Sequence, residues 1–267
     1  MENIWFQIAI SSLVFVTGAA VGSFLNLVIF RLPKNIEIFR KRSFCPKCKV
    51  TIASFDIIPI FSYFALGGRC RSCQKKISAQ YPLVEIITVL LFLVSFWAWE
   101  KRFGANLSTF PELLHLFLIV SVLIVIWVID ARHNIIPDSV LVLAIFGSIV
   151  LIILSGSNFS DILLRFETAV GAFVFFGVII LATLGRGMGV GDAKFVFWLG
   201  LIFPFPQIIQ VLFLSFIAGA IYAVILIVAK KAKFGQTIPF GPFLSFGALI
   251  SLFFADQILQ WYLAKLL

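Results

Sequence analysis

Two aspartates and four cysteines are the residues of this chain whose types and spacing could do chemistry. Asp192 sits in the glycine-rich stretch Gly187-Met188-Gly189-Val190-Gly191-Asp192-Ala193-Lys194, between two strongly apolar runs. Asp130 closes the apolar run from Leu116 to Ile129 and is followed by Arg132, His133, Pro137 and Asp138. A bilayer does not solvate a carboxylate, so an acid inside or at the edge of an apolar segment marks function by default. Two aspartates about 3 Å apart that share one proton can hydrolyse a peptide bond without a metal or a covalent nucleophile. The ionised acid takes a proton from water while the protonated one polarises the scissile carbonyl, and the two pKa values belong to the pair. No other catalytic set is on offer. His115 lies in an apolar run and reads as a packed or hydrogen-bonded side chain. His133 reads as a tuner of the acid site or as an interfacial contact. Asp138, eight residues after Asp130, is the alternative acid.

Gly187, Gly189 and Gly191 lack a Cβ and so permit unusual backbone angles and the close approach of another backbone, such as an extended substrate. The plain alternative is a turn or helix packing. The cysteines form two CxxC pairs, Cys45-Pro46-Lys47-Cys48 and Cys70-Arg71-Ser72-Cys73, with 21 residues between them. This is close to the roughly 15–20 of a four-cysteine zinc site. Four thiolates around Zn(II) leave no open position, so such a metal is structural and holds together a loop too small for a core of its own. Two disulfides or free thiols are the other reading.

The elements that must carry these residues are apolar helices. Of 267 residues, 61% are hydrophobic and 12% charged, far from the roughly 25% charged of soluble domains. The expected class is an all-α polytopic membrane protein with about eight transmembrane helices and a small cytoplasmic zinc-binding loop domain. Apolar runs occur at about 5–30, 82–99, 110–129, 139–154, 166–184, 193–203, 208–229 and 241–263, the 193–203 run being short for a span. Residues 1–6 contain an acid and no Lys or Arg, so the first run has no basic region ahead of it and is expected to be retained. Residues 31–81 hold eleven of the twenty-one Lys and Arg, which puts this loop in the cytoplasm and the N-terminus outside. Alternation then places seventeen of the twenty-one on the cytoplasmic side, including Arg40, Lys41, Arg186 and Lys233. Asp130 and Asp192 fall on that same face. The net charge of +9 is accounted for by this asymmetry, and nucleic acid is not an expected partner. The domain reading is 1–30 as the first helix, 31–81 as the cysteine loop and 82–267 as the membrane-embedded catalytic bundle.

Taken together the motifs resemble the type IV prepilin leader peptidases, membrane aspartic proteases with a Gly-x-Gly-Asp signature. The resemblance covers nearly the whole chain: Gly22-Ser23-Phe24-Leu25-Asn26 with Arg31-Leu32-Pro33, the cysteine pairs, and Ile77-Ser78 with Tyr81-Pro82 and Glu85. It continues through Asp130 with Ile136-Pro137-Asp138, Gly189 to Lys194, and Ile238-Pro239-Phe240-Gly241-Pro242-Phe243. The resemblance implies a bacterial inner-membrane enzyme with Asp130 and Asp192 as its catalytic pair. It would remove the basic leader of type IV prepilins and type II secretion pseudopilins at the cytoplasmic side. It also implies N-methylation of the new N-terminus with S-adenosylmethionine, for which Glu85, Asn26 and Arg31 are the candidates beside the cysteine loop. Glu37, Asp56 and Glu85 are candidates for meeting a basic leader, and membrane lipid is the other partner. The competing class is an ion-coupled transporter with a zinc docking module. Acids at helix ends and the lack of an inverted repeat speak against it.

Overall fold

The computed structural model describes residues 2–38, 42–104, 106–185, 187–231 and 238–266. Arg40, Lys41, Arg186 and Lys233, which enter the charge asymmetry, lie outside the described residues. Among those described, helices dominate and no strand forms, the only extended pairings being the isolated bridges Phe44 with Thr51 and Arg69 with Lys76. Each of the eight apolar runs becomes a helix. The chain divides into two compact units, Met1–Asn106 and Leu107–Leu267.

In the first unit, α1 (Glu2–Arg31) pairs with α3 (Gln80–Phe103), and the short α2 (Phe61–Ala65) lies in the loop between them. Gly18 and Gly22, one turn apart, are what lets α1 and α3 come so close. A Cβ on Gly22 would lie 2.8 Å from the Cα of Glu85, and one on Gly18 would lie 3.0 Å from the Cα of Val89. In a bilayer such small-residue contacts replace the hydrophobic drive that water would supply. Asn26, the odd polar residue near the end of α1, donates to the carbonyl of Tyr81 at 2.9 Å and ties the two helices together where the loop leaves them.

The second unit is built from α4 (Phe110–His133), α5 (Asp138–Leu154), α6 (Phe159–Ala182), α7 (Val190–Ile202), α8 (Gln207–Val228) and α9 (Gly241–Leu266). α7 is the element around which the others pack. Phe195, Val196, Trp198 and Leu199 have no exposure at all, and α6, α5 and α9 all contact it. A helix that is apolar all round is a buried one. Its two polar demands are met internally: the indole N–H of Trp198 donates to Ser148 at 3.0 Å, and Arg165 donates to the terminal carbonyls of Leu201 and Ile202 at 2.9 and 3.1 Å.

The expectation of about eight membrane crossings is only partly met by helix length. Among the described residues, five helical segments are long and apolar enough to cross: Gln7–Lys34, Gln80–Phe103, Leu107–His133, Phe159–Ala182 and Gln207–Val228. α5 and the apolar part of α9 are shorter. α7, with 13 residues, extends about 20 Å at 1.5 Å per residue, against the ~30 Å of a hydrocarbon core. It is short because Gly189 caps its start and Phe203-Pro204 ends it. It needs no greater length, because it is solvated by protein rather than by lipid.

Gly200 is where α7 meets α6 most closely, a Cβ there falling 2.5 Å from the Cα of Ala169. Gly200→Ala should therefore cost about 1–3 kcal/mol from overpacking, measured as a lower unfolding midpoint of the detergent-solubilised protein.

Candidate functional site

Asp130 lies in the last turn of α4, 5% exposed. α4 ends just after it because Asn134 takes a left-handed conformation (φ 53°) and donates its N–H to the Asp130 carbonyl at 2.9 Å. The Asp130 carboxylate accepts a hydrogen bond at Oδ2 from the backbone N–H of Gly241, the first residue of α9, at 2.9 Å. Asp192 lies in the first turn of α7, 9% exposed. Its Oδ2 reaches back to accept the N–H of Gly189 at 3.0 Å, in a capping arrangement. Each acid thus commits one oxygen to a backbone amide. Among the described residues no hydrogen bond engages either Oδ1. Both acids lie at helix ends within the same compact unit. Two buried acids, each tethered by one oxygen, can share a proton and activate water where they face one another.

In the first unit, the thiols of Cys45, Cys48, Cys70 and Cys73 all lie within 4.8 Å of one another. The Sγ atoms of Cys45 and Cys73 are 4.0 Å apart; a tetrahedron with metal–sulfur bonds near 2.3 Å needs about 3.8 Å. The two halves repeat one backbone pattern. Cys45 donates its N–H to Val50 and Lys49 donates to Cys45. Likewise Cys70 donates to Lys75 and Gln74 donates to Cys70. Lys49 and Gln74 both take positive φ, 63° and 57°. Two such matched knuckles fit a metal ion. Burial opposes ionising Cys45, but the N–H groups of Cys48 and Lys47 and the thiols of Cys70 and Cys48 bring its pKa down to about 7. Asp56 binds Arg71 of the second knuckle bidentately at 2.8 and 2.9 Å. That guanidinium holds the Asp56 carboxyl below the usual carboxylate range.

Residues 16–99 match the family described as the Bacterial Peptidase A24 N-terminal domain, and residues 117–224 match the Type IV leader peptidase family. Prepilin leader peptidase/N-methyltransferase of Aeromonas salmonicida is 32% identical over 96% of this chain and 94% of its own length. The chain belongs to the type IV leader peptidase family. Proteins of the same name from Bacillus subtilis (30% identical, 94% of this chain and 97% of the relative) and Pseudomonas aeruginosa (32%, 92% and 91%) agree. No solved structure matches.

Within this peptidase-family chain Asp130 and Asp138 differ in their surroundings. The Asp138 side chain is 67% exposed and accepts an ion pair from Lys194 at 2.8 Å, so its environment is solvent and a cation. Asp130, by contrast, is buried. The glycines also divide. Gly189 is extended (φ −88°, ψ 154°), and the left-handed glycine nearby is Gly185 (φ 72°), which lies before the stretch and closes α6. Gly187 and Gly191 therefore serve close packing rather than unusual angles. Their Cβ positions fall 3.1 Å from Thr183 and 3.3 Å from Ile136, while Gly189 has open space apart from Asp192. His115 is fifteen residues before Asp130, about 22 Å along α4, and takes no part. His133 is exposed.

Of the acids considered for a basic leader, Asp56 is engaged by Arg71. Glu85 accepts the N–H of Ile60 at 2.6 Å. Arg31 is buried and spends its guanidinium on the carbonyls of Glu37, Ile38 and Arg42, folding the loop back on the end of α1. Sequence reasoning misses the Gly241 amide, because a backbone donor has no residue type to reveal it. It also misses Arg165 as the cap of α7, although a cation within an apolar helix is a usable signal.

Protein purified without chelator should carry one divalent metal ion per chain, and Cys70→Ser should carry close to none, as measured by elemental analysis. The two knuckle turns should become protease-sensitive while α4–α9 stay folded, since the cysteines lie wholly in the other compact unit.

Proposed function

We propose that this chain is a membrane aspartic endopeptidase that removes the leader of type IV prepilins and type II secretion pseudopilins, with Asp130 and Asp192 as its catalytic pair. The observation that carries this reading is the burial of two carboxyl groups at helix ends of one compact unit, each held by a backbone amide, in a chain of this family. A water between the two Oδ1 atoms loses a proton to the ionised aspartate and attacks the scissile carbonyl. The protonated partner donates to the carbonyl oxygen, and the proton held by the first is then passed to the leaving amine. Neither carboxyl group must reorganise, because backbone amides already hold them. The Gly187 to Gly191 stretch gives an extended substrate backbone room beside Asp192, its open face being Gly189.

A substrate anchored by its own apolar helix presents its cleavage point at the membrane edge. Helix-end acids suit that geometry, and the basic loop suits a cytoplasmic site in the bacterial inner membrane with the N-terminus outside. The metal is zinc in a structural role: four sulfur ligands complete its shell and leave no position for substrate. Prepilins and anionic lipid are the partners, and nucleic acid is not one.

N-methylation of the new N-terminus completes the activity, with S-adenosylmethionine supplying an electrophilic methyl group on a cationic sulfonium. In the first unit the Asn26 Oδ1 is buried with no hydrogen-bond partner, and Glu85 is a buried carboxylate. Both are acceptors that fit a cationic donor. Arg31, occupied with loop carbonyls, holds the loop instead.

Asp130→Asn and Asp192→Asn should each lower prepilin cleavage by ~10²–10⁴-fold in a reconstituted assay, while Asp138→Asn stays near the wild-type rate. Full cleavage by either of the first two removes that residue from the pair. Mass spectrometry of the processed substrate should show a methylated N-terminus, and a change of Asn26→Ala should lose the methyl group with cleavage retained.

A further inference from the structure

The stretch Ile238-Pro239-Phe240-Gly241-Pro242-Phe243 has no role in the chemistry so far. Gly241 opens α9, and the first amides of a helix have no acceptor within it. At 2.9 Å the Gly241 amide instead meets the buried Oδ2 of Asp130. The position also excludes a side chain. A Cβ at residue 241 would lie 2.7 Å from Oδ2, 3.1 Å from Cγ and 3.2 Å from Cβ of Asp130. Gly241 is not among the residues with positive φ, so glycine is required here for space and not for backbone angle. The flanking residues fix the amide in place. Pro242 suits the first helical turn, where its missing N–H costs nothing. Phe240 is packed among Phe216, Phe243 and Phe176 at ring-centroid distances of 5.1, 6.3 and 6.4 Å. Its carbonyl accepts the amides of Phe243 and Leu244 at 3.0 and 3.1 Å. The start of α9 is thus locked on one side by aromatic packing and on the other by a carboxylate.

We infer that Gly241 is a positioning residue of the peptidase site: its amide holds Oδ2 of Asp130, and its missing Cβ lets α9 begin against that carboxylate, leaving Oδ1 as the reacting oxygen. The inference rests on the assignment of Asp130 to the catalytic pair. It makes the site a three-element structure in which α4 and α7 bring the acids and α9 brings only a backbone donor. The symmetry with Asp192 is direct, since that acid is held in the same way by the Gly189 amide.

The test uses the full-length protein in lipid nanodiscs with a prepilin substrate, and three glycines compared by alanine substitution. Gly241→Ala should lower kcat by ~10²-fold, the scale of a 1 Å misplacement of a catalytic group, with KM and the unfolding midpoint near wild type. Gly219→Ala is the neutral control, its Cβ falling at an ordinary 3.4 Å from Phe240, and should leave kcat unchanged. Gly247→Ala, which crowds Ser215 and Val211, is the packing control and should lower the unfolding midpoint. The inference is overturned if Gly241→Ala keeps kcat within about threefold, if its loss is entirely in KM, or if its midpoint falls as far as that of Gly247→Ala. Asp130→Asn separates the two claims. If that variant cleaves normally, the assignment of Asp130 itself fails; if it is inactive while Gly241→Ala is fully active, only the role of Gly241 fails.

Discussion

Placing a carboxylate in a poorly solvated interior costs several kcal/mol unless hydrogen bonds replace the lost water. In this protein that constraint is met twice by the same device, a backbone amide at the start of a helix. Gly189 serves Asp192 and Gly241 serves Asp130. The first amides of a helix are otherwise orphaned, and the N-terminal end of its dipole attracts negative charge. One bond therefore satisfies a helix end and a buried acid together. Each amide takes a single oxygen, so among the described residues the other oxygen of each acid is left without a hydrogen bond.

The rest of the second unit follows from keeping those two helix starts in register with the end of α4. α7 is held by complete burial and by Arg165 at its C-terminal carbonyls. Its close approach to α6 at Gly200 leaves it little freedom to slide. α9 is held through Phe240 and the aromatic cluster around it. The exposed Lys194–Asp138 pair joins the start of α7 to the start of α5. An exposed pair of this kind is worth no more than about 1 kcal/mol, so it trims the geometry that packing has already set.

The first unit solves a different problem. A loop of some fifty residues between α1 and α3, rich in Lys and Arg, is too small to bury enough apolar surface to fold by itself. Its order comes from four thiols, from the Arg71–Asp56 pair and from Arg31 and Glu85, which take up its carbonyls and an amide at the membrane-side ends. Ile60 accepts a strained positive φ of 63° where its amide meets Glu85. A β-branched residue in that conformation is a sign that its surroundings over-determine it.

The amino-acid sequence by itself determines much of this protein. Hydrophobic runs of helical length mark all eight long helices. The cysteine spacing marks the four-thiol cluster that could hold a metal ion, because knuckle geometry is local and written in a few consecutive residues. An acid beside an apolar run is costly enough to stand out in any sequence, which makes Asp130 and Asp192 visible. Contacts between distant segments decide the rest. Asp130 and Asp138 differ only in what surrounds them, one buried under α9 and the other paired with Lys194 in solvent, and no local pattern distinguishes those environments. The short α7 reads as a weak span until its neighbours show that it is a buried rod. The donor on Asp130 comes from a main-chain amide 111 residues away. Residue types report cost and propensity along the chain, whereas the partner that offsets a buried charge is chosen by packing, and only the tertiary structure brings it there.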